Sequence, residues 1–326
     1  MTVWDSSTVD ILYQRSLKPV SYRWFLFVLI FPLENDEEFA RGTEVEAVSN
    51  QMVYYHKVGT SQAEDLKIFE TPENPAWMFS PQVSDCGKFL ILSISESTDP
   101  VNRLYVCTLD QALSGHPGMI KLIDNFEAEY DYITNEGSLF YFKTNLNAPN
   151  NKIVSINIET GDLKEVLAEL AGVINFVICV NQDKLIISRL ENVQESLEIR
   201  TLDGELLCRA LEPSILTISD LKGRKQDSEF FYQVSSFVEP GRIFRFDLKT
   251  LTASEFLRTK VPGLDSSKFV VFQEFYLSKD GTKIPMFIVR HEDCKLDGNN
   301  PTLLCNSPSC SSCDSAQMDT VASTSL

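Results

Sequence analysis

Short apolar runs separated by polar turns recur along this chain. Phe89 to Ser93 and Arg103 to Leu109 are joined by the polar stretch Thr98 to Asn102, and Glu129 to Ile133 meets Ser138 to Phe142 across Asn135-Glu136-Gly137. Runs this short, rich in Tyr, Phe, Ile and Leu and bounded by Gly, Pro, Asp and Asn, predict the strands of an antiparallel meander. The same grammar begins at Met52 to Val58 and Asp65 to Phe69.

The pattern repeats. A strand of one type returns as Arg103-Leu104-Tyr105-Val106, Lys152-Ile153-Val154-Ser155, Ser196-Leu197-Glu198-Ile199 and Arg242-Ile243-Phe244-Arg245. With Leu104, Ile153, Leu197 and Ile243 as markers, the spacings are 49, 44 and 46 residues. Each copy follows another apolar strand: Phe89 to Ser93, Leu139 to Lys143, Lys184 to Ser188 and Glu229 to Val234. Four-stranded sheets set around an axis repeat every 40 to 50 residues or so, whereas helical repeats of that length carry a 3.6-residue period. The chain therefore reads as all-β, an incomplete β-propeller of about four to five blades. An irregular β-sandwich with evenly spaced strands is the competing architecture. After Pro262-Gly263 a longer hairpin appears, Lys268 to Leu277 and Lys283 to Arg290 about a Lys279-Asp280-Gly281 turn, and marks a change of domain.

Two stretches break the pattern. Arg15, Lys18 and Arg23 precede the apolar run Trp24 to Phe31, which imitates a targeting signal but has no small-residue cleavage site after Pro32. It falls short of the roughly 20 apolar residues that a spanning helix needs. A buried apolar segment and a targeting signal both remain open there. Residues 305–326 are rich in Ser, Thr and Cys and are expected to be disordered.

Composition narrows the function classes. A net charge of -17 across 326 residues repels phosphate, which argues against nucleic acid and against an anionic membrane surface. Cys86, Cys107, Cys179, Cys208 and Cys294 are scattered singly, most in apolar strand-like surroundings, so they read as reduced thiols rather than a disulfide framework. No glycosylation acceptor with an allowed middle residue occurs. A cytoplasmic setting is expected.

Candidate chemistry is sparse. Acyl transfer by an α/β-hydrolase needs a serine on a strained Gly-x-Ser-x-Gly elbow, and the sequence has none. A general base must reach its nucleophile and be held by a third group; His56, His116 and His291 form no such set, so no catalytic residue is assigned. Cys310-x-x-Cys313 is the one knuckle-like pair beside Cys305, Cys294 and His291, and a structural zinc site wants two, so no metal is expected. No phosphate-binding glycine loop is present and no cofactor is expected.

The stretches VYYHKVGTSQAEDL (Val53 to Leu66), STDPVNRLYVC (Ser97 to Cys107), KLIDNFEAEYDYITNEGSLFYFKTN (Lys121 to Asn145) and SKDGTKIPMFIVR (Ser278 to Arg290) closely resemble the prolyl oligopeptidase family. The resemblance implies a propeller capping an α/β-hydrolase domain that cleaves short peptides after proline. It divides the chain into an unmatched N-terminus at 1–41, a partial propeller at 42–265, the opening strands of the peptidase domain at 266–304 and the tail at 305–326. It implies a truncated serine-type endopeptidase, inactive alone because the family's serine, aspartate and histidine have no counterpart here. The alternative is a non-catalytic propeller serving as an interaction platform. Short proline-containing peptides are the implied partners of the parent enzyme, and aggregation or oligomerisation through open blade edges is expected of the fragment. Cys179 matches a family cysteine near the substrate side of the propeller, the other reading being a small apolar strand residue. Thr71 falls where some members carry an aromatic substrate contact, which puts the local surface in doubt.

Overall fold

A computed structural model describes residues 11–12, 25–30, 49–57, 59–115 and 117–304. Five four-stranded antiparallel meanders and one hairpin account for nearly all of it. The first sheet holds β1 (Ile11–Leu12), β2 (Phe25–Ile30), β3 (Met52–Lys57) and β4 (Leu66–Phe69). The second holds β5 (Met78–Val83), β6 (Phe89–Ser95), β7 (Arg103–Thr108) and β8 (Ile120–Ile123). The third holds β9 (Tyr130–Glu136), β10 (Leu139–Thr144), β11 (Lys152–Asn157) and β12 (Leu163–Leu167). The fourth holds β13 (Val173–Val180), β14 (Lys184–Glu191), β15 (Gln194–Thr201) and β16 (Leu206–Ser214). The fifth holds β17 (Thr217–Gly223), β18 (Glu229–Ser236), β19 (Glu239–Asp247) and β20 (Thr252–Arg258). The hairpin pairs β21 (Phe269–Leu277) with β22 (Lys283–His291).

The described residues fall into two compact units, one reaching Ala148 and including Ile153–Glu165, the other comprising Pro149–Lys152 and the residues from Val166 onward. In the first unit the apolar runs are explained by burial on both faces of one sheet. Leu90, Leu92 and Ile94 of β6 pack with Val53, Ile68 and Phe79, whereas Ile91 turns the opposite way and packs with Phe140, Phe142 and Val154. A strand covered on both sides loses its apolar-polar alternation, and FLILSIS is the outcome. In the second unit Val180, Ile186, Leu197 and Ile199 of the fourth sheet meet Ile218, Phe230, Tyr232 and Phe246 of the fifth. The Phe230 and Phe246 rings stack there at 5.1 Å.

One local outcome differs from the sequence expectation. The segment expected to run as a strand to Leu109 stops at Thr108, and Leu109–Leu113 forms a one-turn helix, α1. Thr108 caps it by accepting the Gln111 N–H, and Gly115 beyond it takes φ +79. The apolar run at Phe25 is strand β2, pairing with β3 from Phe25↔Lys57 to Ile30↔Met52. His116 and residues 305–326, with the expectations attached to them, lie outside the described residues.

Candidate functional site

Cys179 lies near the end of β13 and is 5% exposed. Beyond it the chain reverses through Asn181 and Gln182, both at positive φ, and the Cys179 thiol lies 3.4 Å from the Gln182 carbonyl. Backbone bonds from Asn181 to Asp227 and from Gln182 to Lys225 tie this turn to the β17–β18 connection. Ile178 and Val180 belong to the core shared with the fifth sheet, so Cys179 between them faces the opposite side.

That opposite face carries a row of charge. Cys179 pairs with Leu185 and Leu185 with Arg200; one step along, Val177 pairs with Ile187, Ile187 with Glu198 and Glu198 with Arg209. Glu198 is 1% exposed and bonds Arg200 at 2.7 Å, with Arg189 at 3.8 Å and Arg209 at 3.7 Å. Arg200 also donates to the Gly204 carbonyl, in a turn where Gly204 takes φ +85. Arg189 and Arg209 each hold a second acid, Glu191 and Glu212. Three guanidinium groups thus converge on one buried carboxylate beside the Cys179 row, and with Glu191 and Glu212 on their outer sides the cluster is charge-balanced, an arrangement that orders the strands. Of these residues Cys179 is marked by family resemblance, whereas Glu198 and Arg200 carry no motif in the sequence. Their signal was the alternation of Ser196, Glu198 and Arg200 with Leu197 and Ile199 in β15.

The remaining candidates do not assemble into a reaction centre. His56 of β3 is buried, its Nδ1 2.6 Å from Asp65 Oδ1, which pins the strand to the turn before β4. His291 closes β22, packs edge-on against Phe269 at 5.6 Å and accepts the Asp293 N–H at Nδ1. The two histidines belong to different units. Thr71 follows β4 with its hydroxyl buried and without a hydrogen-bond partner. Among the described residues no group of three or more His, Cys, Asp or Glu gathers as a metal site, and no helix is long and apolar enough to cross a membrane.

The cysteines divide. Cys107 is buried in the core of the first unit, and burial pushes its thiol up to about 11. Cys208 and Cys294 are partly buried. Cys86 is exposed in the β5–β6 turn rather than in a strand. Partial burial works to raise its thiol, but hydrogen bonding to Ser84 and Asn135, each at 3.3 Å, and to the Lys88 backbone, together with the Lys88 charge, holds it below the usual thiol value.

Comparison with known proteins gives this geometry a context. A family profile described as "Prolyl oligopeptidase, N-terminal beta-propeller domain" matches residues 31–257. Prolyl oligopeptidase A of Galerina marginata is 35% identical over 257 residues, covering 77% of this chain and 35% of that protein. Prolyl endopeptidase of Dictyostelium discoideum is 30% identical over 319 residues, covering 92% of this chain and 40% of that protein. Among solved structures, prolyl oligopeptidase B from Galerina marginata, bound to a 35mer hydrolysis and macrocyclization substrate, superposes with a TM-score of 0.75 at 34% identity. That match covers 84% of this chain and 38% of the other. The chain thus spans well under half the length of these relatives.

Proposed function

Because this chain belongs to the prolyl oligopeptidase family, we propose that it supplies propeller blades of a peptidase acting on short proline-containing peptides, and that it hydrolyses none by itself. The run of four-stranded meanders under the propeller profile carries this reading. Residues 42–265 are assigned to the propeller and 266–304 to the opening strands of the peptidase domain. Catalysis by the chain alone is disfavoured by its residues: Gly-x-Ser-x-Gly does not occur in the sequence, and His56 is committed to Asp65. Incubation with a proline-containing fluorogenic peptide should give no turnover. Turnover abolished by a serine-directed inhibitor would overturn the proposal.

Cys179 is proposed to mark the approach of the peptide. Its place on the charged face of the fourth sheet, away from the core shared with the fifth, supports that assignment. A proline-containing peptide should slow alkylation of Cys179 by maleimide, and unchanged alkylation at saturating peptide would remove Cys179 from the path. A cytosolic setting is proposed with it, in keeping with cysteines that stand as free thiols.

Self-association is the expected behaviour of the isolated chain. Every residue of β20 is exposed, and this strand is the edge of the fifth sheet. A monodisperse monomer at high concentration would instead favour a self-sufficient interaction platform.

A further inference from the structure

One position in the repeat performs the same task sheet after sheet. It lies two residues before the buried apolar residue of the third strand: Gln51 before Val53, Asn102 before Leu104, Asn151 before Ile153 and Glu195 before Leu197. In each case the side chain reaches the backbone at the start of the strand that opens the following repeat. Gln51 Oε1 accepts the Phe79 N–H of β5. Asn102 accepts the Tyr130 N–H of β9 at 2.7 Å and donates to the Tyr130 carbonyl at 3.1 Å. Asn151 donates to the Ile174 carbonyl of β13 at 3.1 Å, and Glu195 accepts the Ile218 N–H of β17. The second strand contributes a serine to two of these clasps: Ser93 to Asn102 at 2.7 Å and Ser188 to Glu195 at 3.0 Å.

Three of the four clasps are amides, which keep one hydrogen-bonding pattern at every pH. The fourth is a carboxyl. We propose that Glu195 is a pH-sensitive clasp between the fourth and fifth sheets, closed while it carries a proton and loosened when it ionises. A protonated carboxyl reproduces the amide, offering a carbonyl oxygen to Ile218 and a donor hydroxyl. Ionised, it is a charge in the core with no cation beside it.

The surroundings enforce this. Glu195 is 2% exposed and shares its face with Leu197 and Ile199. The groups facing it are neutral: Asn175 of β13 at 3.5 Å, Ser188 of β14 and the Ile218 amide of β17, while Ser214 of β16 and Leu190 of β14 lie opposite in register. Arg189, Glu191 and Glu198 occupy the other face of the sheet, Glu212 pairs with Arg209, and Asp220 of β17 pairs with Lys222. Burial pushes the Glu195 carboxyl up to about 7, against the pull of its hydrogen bonds to Ser188, Asn175 and Ile218. Glu239 at the start of β19 makes the contrast: it bonds Ser266 but sits against the guanidinium groups of Arg242 and Arg258.

The folded value exceeds the ordinary glutamate value of 4.5, so the folded chain keeps the proton between 4.5 and about 7. The contribution of Glu195 to stability is therefore present in full below 4.5 and is lost as pH rises through about 7. The test is thermal unfolding of the whole chain and of Glu195→Gln between pH 5.5 and 8. The native chain should lose ground to the variant by on the order of 5 °C across that range, since the variant carries the amide of the other clasps. Parallel pH dependences would overturn the proposal. A second reading needs no variant: protection of the Ile218 amide from hydrogen exchange, corrected for intrinsic rate, should fall from pH 6 to pH 8. Equal protection at the two pH values would refute it.

Discussion

Asn102 and Tyr130 hold each other through both backbone groups of the tyrosine: Asn102 Oδ1 accepts the Tyr130 N–H at 2.7 Å, and its Nδ2 donates to the Tyr130 carbonyl at 3.1 Å. The pair is buried, so neither group has water as an alternative. The Asn102 backbone adds a third link to the Ala128 carbonyl at 3.0 Å.

Replacing Asn102 by Ala strands a buried N–H and a buried C=O, each costing about 1–3 kcal/mol. Urea unfolding of Asn102→Ala should show a loss of several kcal/mol. Asn102→Asp keeps the acceptor but sets a carboxylate against the Tyr130 carbonyl, so its loss should be smaller at pH 4 than at pH 7. A pH-independent deficit in the aspartate variant would show that the donor bond contributes little.

Thiol chemistry should select Cys86 among the described cysteines. It combines exposure with a depressed thiol, whereas Cys107 is 1% exposed with its thiol pushed up to about 11. Brief treatment with a maleimide at pH 7, followed by peptide mapping, should find Cys86 labelled first and Cys107 last. Asn135→Ala removes one of the bonds that favour the Cys86 thiolate and should slow its labelling. Unchanged labelling in that variant would mean that exposure alone sets the rate.

Two phenylalanines should respond in opposite ways. Phe140 is fully buried between the second and third sheets, and Phe140→Ala should cost about 3–5 kcal/mol. Phe256 of the edge strand is 64% exposed and touches Phe231 edge-on at 5.2 Å. Phe256→Ser should leave unfolding nearly unchanged, within about 0.5 kcal/mol. It should also reduce the self-association seen by light scattering. Equal association with and without Phe256 would place the sticky surface elsewhere.

How far residues alone could be read differed from place to place. The strand pairs around Asn135-Glu136-Gly137 and Lys279-Asp280-Gly281 were legible because turn chemistry is local. The helix at Leu109–Leu113 was missed although Thr108, Gln111 and Gly115 announce it, because Leu104 to Leu109 also reads as one apolar run. At Phe25 the sequence left a buried segment and a targeting signal open, and the run forms strand β2 paired with β3, a register that no local signal specifies. Cys179 was found through family resemblance, while Glu198 and its arginines went unnoticed because their meaning depends on cross-strand neighbours.

The sequence by itself determined the all-β class, the spacing of the repeats and the family, since these reside in local alternation, turn residues and periodic apolar positions. Only tertiary structure decided what Glu195 is. In the chain it is one acid among 46 acidic residues, Asp and Glu together, indistinguishable from the solvent-facing others. Its carboxyl is pushed up because the folded chain buries it on the face it shares with Leu197 and Ile199, and burial is a property of elements brought together, not of any stretch of residues.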